Sequence, residues 1–202
     1  MQEQLTAAYS SRVQSAHLVQ LFDSDDSLVE AVADFFAEGL LANETMLAVM
    51  NEERWYSVVM SLSARGLPID DALRSGRMTA HAAEGMLKKF MRRNRPDRDL
   101  FYASVGEAVS GLVAMRRPGR IYGEMVNVLA AQGEYAAAHA LEELWNELGR
   151  QHEFMLFCGY SAGHFGDPRH ADALRRICAS HSEVLSSPQD ILASFLVRAP
   201  MV

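Results

Sequence analysis

Apolar residues along this chain fall into two arrangements, short unbroken runs and longer stretches with helical spacing. HLVQLF at 17–22 is a run of the first kind, bounded by DSDDS, and reads as a buried strand. After it, Leu28, Val32, Phe35, Phe36 and Leu40 recur on one helical face, with Ser24 or Asp25 available as N-cap. TMLAVM at 45–50 gives a second strand, and further strands are predicted at 77–81, 119–125 and 153–160. Helical spacing covers about 52–64, 69–76, 82–93, 97–115, 125–131, 134–151 and 169–180. A glycine-rich loop, SAGHFGDP, precedes the last of these helices.

Strands that are apolar at every position are covered on both faces. Their alternation with helices predicts a doubly wound, three-layer α/β sandwich with a mostly parallel sheet of five or more strands. In such a fold ligands bind beyond the C-terminal ends of the strands. That rule places Asp23 and Ser24, Asn51 and Glu52, His81, Glu124, and Tyr160 and Ser161 on one rim. The domain is expected over 16–185, between a polar arm at 1–15 and a less regular tail at 186–202.

Composition narrows the function classes. With 202 residues, 49% of them hydrophobic, the chain can bury about 70% of its unfolded surface and needs no metal or disulfide to fold. A net charge of −7 argues against nucleic-acid binding. The basic stretch from Lys88 to Arg98 reads as a solvated face leading into a loop. Two cysteines make no disulfide framework, the N-terminus is polar, and no apolar run approaches the ~20 residues of a membrane span. A cytoplasmic protein with free thiols is expected.

The chemical motifs are mostly missing. The loop after the first strand, DSDDSLVE, has neither the glycines nor the lysine of GxxxxGK[ST], and Asp23, Asp25 and Asp26 would repel a triphosphate. Acidic capping of the next helix accounts for those aspartates more simply than a magnesium site. GxGxxG and the GxSxG elbow are absent too. Glu124, at a strand tip, could act as a base or hold a ligand. Cys178 and His181 have the CxxH spacing of half a zinc site; the other half would need Cys158 with one of His17, His152, His164 or His170, and the spacing does not demand it. Within FMLFCGY, Cys158 reads as a small buried hydrophobe, and His17 as a structural histidine. No enzyme, cofactor or metal is expected.

The segment HLVQLFDSDDSLVEAVADFFAEGLLANETMLAVM resembles the opening of MEDS domains. These are sensory domains named for methanogen and methylotroph regulators and the dichloromethane-responsive repressor of methylotrophs. RIYGEMVNVLAAQGEYAAAHALEELWNELGRQHEFMLFCGY and ICASHSEVL resemble the family's closing motifs. Matching positions are His17, Phe36, Gly39, Leu40, Gly123, Glu124, Met125, Glu142, Trp145, Cys158, Tyr160, Cys178 and His181. The family is similar in layout to RecA and KaiC-type ATPase domains without the phosphate loop, in keeping with the missing GxxxxGK.

The resemblance implies sensing of small hydrocarbon derivatives within transcriptional or kinase signalling. These 202 residues carry no helix-turn-helix or kinase segment, so output is expected through a partner such as a kinase or transcription regulator, or through self-association. The expectation is therefore a sensory module that binds a small organic molecule at the rim. Asp23, Ser24, Glu124 and Tyr160 are its candidate contacts, joined through the resemblance by His17, Cys158 and His181. The alternatives are a ligand-free interaction scaffold and an enzyme using Glu124, Asp23 or Cys158. Neither nucleic acid nor membrane is an expected partner.

Overall fold

The computed structural model describes residues 16–185; the arm and tail expected at 1–15 and 186–202 lie outside them. Six strands form one parallel sheet: β1 (His17–Phe22), β2 (Thr45–Met50), β3 (Met78–Ala82), β4 (Gly119–Gly123), β5 (Phe154–Ser161) and β6 (Glu183–Leu185). Their order across the sheet is β3-β2-β4-β5-β1-β6. Every residue of β1, β2 and β4 is buried, which is why these strands read as mostly apolar runs without polar alternation.

Helices cover both faces. On one side α1 (Asp25–Leu41), α2 (Glu52–Ala64) and α3 (Ile69–Arg74) pack with Leu18, Phe22, Met46, Ala48, Tyr122 and Phe157. The other side carries α4 (Ala83–Phe90), α5 (Arg98–Phe101), α6 (Glu107–Val113), α7 (Met125–Ala131), α8 (Tyr135–Gln151) and α9 (Ala171–Ala179). These meet Val19, Leu21, Val49, Ile121, Cys158 and Tyr160. The molecule is the three-layer α/β sandwich that the alternation predicts.

Local chemistry sets the helix starts. Ser24 caps α1 by accepting from the Ser27 amide at 3.2 Å, and Asp25 and Asp26 meet the positive end of that helix. Asn51 caps α2, accepting from the amides of Glu53 and Arg54 at 2.8 and 3.2 Å. Gly39, in α1, allows the helix to approach β2 and β4. A Cβ there would stand 3.0 Å from Met46 Sδ and 3.1 Å from Arg120 Cδ. Arg120 is itself buried, bonded to Glu38 and to the Phe35 carbonyl, both at 3.0 Å, and to Glu44.

Strand order locates the crevice. The connections from β1 and β2 run one way across the sheet, and those from β3, β4 and β5 run the other. The neighbouring strands β2 and β4 have diverging connections and open a gap at their C-terminal ends; the connections from β5 and β1 pass each other. Three details differ from the sequence reading. The helix expected over 82–93 stops at Phe90. A tight hairpin of Met91–Arg92 with Arg95–Pro96 follows, turned by Arg93 and Asn94 at φ of 48° and 59°. The helix expected over 97–115 contains a wide turn at Tyr102–Gly106 between α5 and α6. β6 is an additional edge strand. Among the described residues, no helix is long and apolar enough to cross a membrane.

Candidate functional site

Besides the Arg120 group, two sets of polar side chains are buried among the described residues, each built around a glutamate. The first stands at the tips of β2 and β4. Glu124 follows β4 directly, is 1% exposed, and donates its amide to the Val49 carbonyl at 2.8 Å. Its carboxylate accepts from the Asn51 amide at 3.2 Å and from the Arg54 guanidinium. The same cap that starts α2 thus delivers Arg54 to Glu124. The second arm of Arg54 bonds Asp25 at 2.9 Å, tying the start of α1 to the pair. Burial pushes the Glu124 carboxyl above its ordinary range, and Arg54 and the Asn51 amide only partly oppose this.

Two polar atoms of this first group lack hydrogen-bond partners among the described residues: Arg54 Nε and the Tyr122 hydroxyl, both buried. Gly159, in β5, makes room for that hydroxyl, since a Cβ there would lie 2.5 Å from Tyr122 Oη. Beside these strand ends, the Ser161 amide donates to Asn127 Oδ1 at 2.9 Å.

The second group lies between the sheet and helices α8 and α9. Glu142, from the inner side of α8, has no exposed surface. Tyr160 donates its hydroxyl to Glu142 Oε1 at 2.7 Å. His17 Nε2 stands 3.2 Å from Oε2, and His181 Nε2 stands 3.4 Å from Oε1. Cys158 Sγ completes the group, 3.4 Å from His17 Nε2 and 3.6 Å from Glu142 Oε2. One nitrogen or sulfur from each of His17, Cys158 and His181, with one Glu142 oxygen, all lie within 4.8 Å of one another. The two imidazoles lie with centroids 3.9 Å apart, their planes tilted by 45°.

Sheet register explains the convergence. His17 and Cys158 project from adjacent strands to the same face, since Val19 pairs with Cys158 and side chains alternate. His181 follows α9, and its neighbour Ser182 bonds the His17 backbone three times, at 2.8 to 2.9 Å. Burial alone would raise the Glu142 carboxyl, but the neighbouring imidazoles of His181 and His17 outweigh it. The carboxyl therefore titrates below its ordinary range. The Cys158 thiol is pushed well up by burial and by the Glu142 charge.

Residues 16–181 match the family described as the methanogen/methylotroph, DcmR sensory domain, MEDS. The chain belongs to the MEDS family. That membership suggests a sensory or regulatory role. A comparison with curated proteins finds no match.

Within this MEDS domain the candidates from the sequence divide between the two groups. His17, Cys158, Tyr160 and His181 come together around Glu142, and Glu124 belongs to the rim. Asp23 and Ser24 are exposed at the end of β1, with Ser24 engaged as the α1 cap. Cys178 is half-buried outside the four-residue group, and its carbonyl accepts from the His181 amide at 3.2 Å. Glu142 and Arg54 were not among the candidates. Glu142 had a readable signal: with Ala138, Leu141, Trp145 and Leu148 it lies in the apolar stripe of an amphipathic helix, where a glutamate needs partners. Arg54, in the polar first turn of α2, carried none.

Proposed function

We propose that this chain is the input module of a signalling system. It detects its ligand at the buried group around Glu142 and passes the occupied state to a partner protein through α8, α9 and β6. The observation that carries this reading is the convergence of four family-matching side chains, at positions 17, 158, 160 and 181, on a fifth, the buried carboxylate of Glu142. A packing core does not require two imidazoles, a thiol and a phenol at one point. The elements they join also meet at the edge of the sheet, where a small shift of α9 and β6 reaches the surface. The role is one of binding, since a thiol pushed up by burial is a poor nucleophile.

One observation favours a second reading, in which a small organic molecule binds at the rim. Arg54 Nε and the Tyr122 hydroxyl are buried and unpaired beside Glu124 among the described residues. A ligand oxygen placed between them would satisfy both.

Thermal unfolding against Mg-ATP, cyclic nucleotides, zinc, haloalkanes, alcohols and aromatics tests both. A ligand at a hundred times its Kd adds about 2.7 kcal/mol, a rise of roughly 5–11 °C for a domain of this size. A rise lost in His17→Ala but kept in Glu124→Gln supports the Glu142 site. The opposite pattern moves the sensor to the rim. A flat response across the panel overturns both in favour of a ligand-free scaffold.

A further inference from the structure

The group around Glu142 is incomplete as side chains alone. Asn146 donates its amide nitrogen to the Ser180 carbonyl at 2.8 Å, which turns Asn146 Oδ1 toward His17 Nδ1 at 2.9 Å. His181 Nδ1 meets the Ile177 carbonyl at 2.7 Å. Both acceptors are carbonyl oxygens, so both histidines carry a proton on Nδ1, and a neutral ring then presents a bare lone pair at Nε2. Those two lone pairs point at the Glu142 carboxylate, itself an acceptor. His181 Nε2 is buried with no hydrogen-bond partner among the described residues. Positive charge must lie between them.

One added proton satisfies a single ring and leaves the other lone pair facing the carboxylate; a second puts two imidazolium rings, 3.9 Å apart, around one carboxylate, with net positive charge in a site with almost no solvent. A divalent ion with the Glu142 carboxylate and the Cys158 thiolate is electrically neutral. The spacing fits as well. Metal–ligand bonds of ~2.0–2.3 Å place tetrahedral ligands roughly 3.3–3.8 Å apart. Among the proposed ligand atoms, His17 Nε2, Cys158 Sγ and Glu142 Oε2 stand 3.2, 3.4 and 3.6 Å apart, and the four-residue group, His181 included, fits within 4.8 Å.

We propose that His17 Nε2, His181 Nε2, Cys158 Sγ and Glu142 Oε2 bind one divalent ion of the zinc class. The mixture of imidazole, thiolate and carboxylate favours zinc over the harder magnesium and calcium. Tyr160 holds the other Glu142 oxygen, and Asn146 and the Ile177 carbonyl hold the outer nitrogens of the two rings. With all four positions filled by protein atoms, the site is closed to substrate, and its occupancy fastens β1, β5, α8 and the α9–β6 turn together. The inference rests on the assignment of this group as the sensing site and names its ligand.

The test is titration of the chelator-stripped full chain with Co2+ and then Zn2+. One Co2+ per chain is expected, with visible bands of tetrahedral intensity and a thiolate-to-cobalt charge-transfer band, displaced by an equivalent of Zn2+. Tyr160→Phe and Asn146→Ala, which touch only the ligands, should weaken binding by about 10–100-fold. Cys158→Ser should abolish the charge-transfer band, and Cys178→Ser should leave it unchanged. Absence of that band in the wild-type chain, or its persistence in Cys158→Ser, overturns the metal site without reference to whether any variant folds. If wild type binds no metal yet an organic ligand gives a His17-dependent rise in Tm, the metal inference fails and the sensing assignment stands.

Discussion

Glu124 and Glu142 are the same residue, equally hidden from solvent, in opposite electrostatic situations. Glu124 faces one permanent cation that approaches from the helix side and remains partly solvated, Arg54 being 24% exposed in its side chain. Burial prevails there, and the carboxyl is held above its ordinary range. Glu142 faces two imidazoles, a thiol and a phenol, all enclosed, and the imidazoles prevail over burial. An arginine cannot release its proton or take a metal, so the rim pair is suited to bracing α1 and α2 against β4. Every partner of Glu142 can change protonation or ligate an ion. Burial alone does not separate a brace from a sensing site; the chemistry of the partners does.

The comparison breaks most sharply at Glu142. Glu142→Ala leaves the Tyr160 hydroxyl and both inward ring nitrogens without a carboxylate, and should cost about 3–5 kcal/mol in urea unfolding. A cost under about 1 kcal/mol, as at an ordinary surface site, would mean the group is not a coupled unit. Removing the rim cation is a smaller injury. Arg54→Met strands one buried carboxylate that can respond by protonating, so about 1–3 kcal/mol is expected, lessening as the pH is lowered.

The smallest effect is the most discriminating, because its sign differs between the two sites. Glu124 has a raised carboxyl, so its contribution is fully present below the ordinary value of 4.5 and is lost as pH rises through the raised one. Relative to Glu124→Gln, wild type should therefore gain Tm as pH falls from 7 toward 4.5. Glu142 has a lowered carboxyl, so its contribution is present above 4.5 and lost as pH falls below it. Relative to Glu142→Gln, metal-free wild type should hold its advantage down to that value and then lose it. Parallel slopes in the two comparisons would mean that the environments are not opposed.

The sheet was largely legible because β1, β2, β4 and β5 are buried on both faces and are mostly apolar, Arg120 in β4 and Gln20 in β1 being the interruptions. β6 was not, because EVL is three residues long and its burial comes from pairing with β1 at the sheet edge. The hairpin at 91–96 was hidden by the basic composition that suggested a solvated helix end. At the sites, Tyr160 could be named from its strand end and His17, Cys158 and His181 from the family resemblance, but they could not be joined. Joining them needed the strand order, which sets β1 beside β5, and that order is a property of long-range pairing. Arg54 was illegible for the same reason: only the cap by Asn51 and the adjacency of β2 and β4 bring it to Glu124.

The placement of β1 has a consequence for how the chain is made. Among the described residues, the first strand in chain order, β1, lies between β5 and β6, the last two. Until residue 154 has emerged, β1 lacks both of these described neighbours, and the Ser182 clasp on His17 closes a loop spanning 165 positions of chain. Closing so long a loop costs only modestly more entropy than closing a shorter one, but it forces the decisive contacts to come late. A nascent chain therefore carries the apolar run HLVQLF without these strands through most of its translation. The sheet can lock only when the two ends of the domain meet, so the step that assembles the Glu142 group is also the step that completes folding.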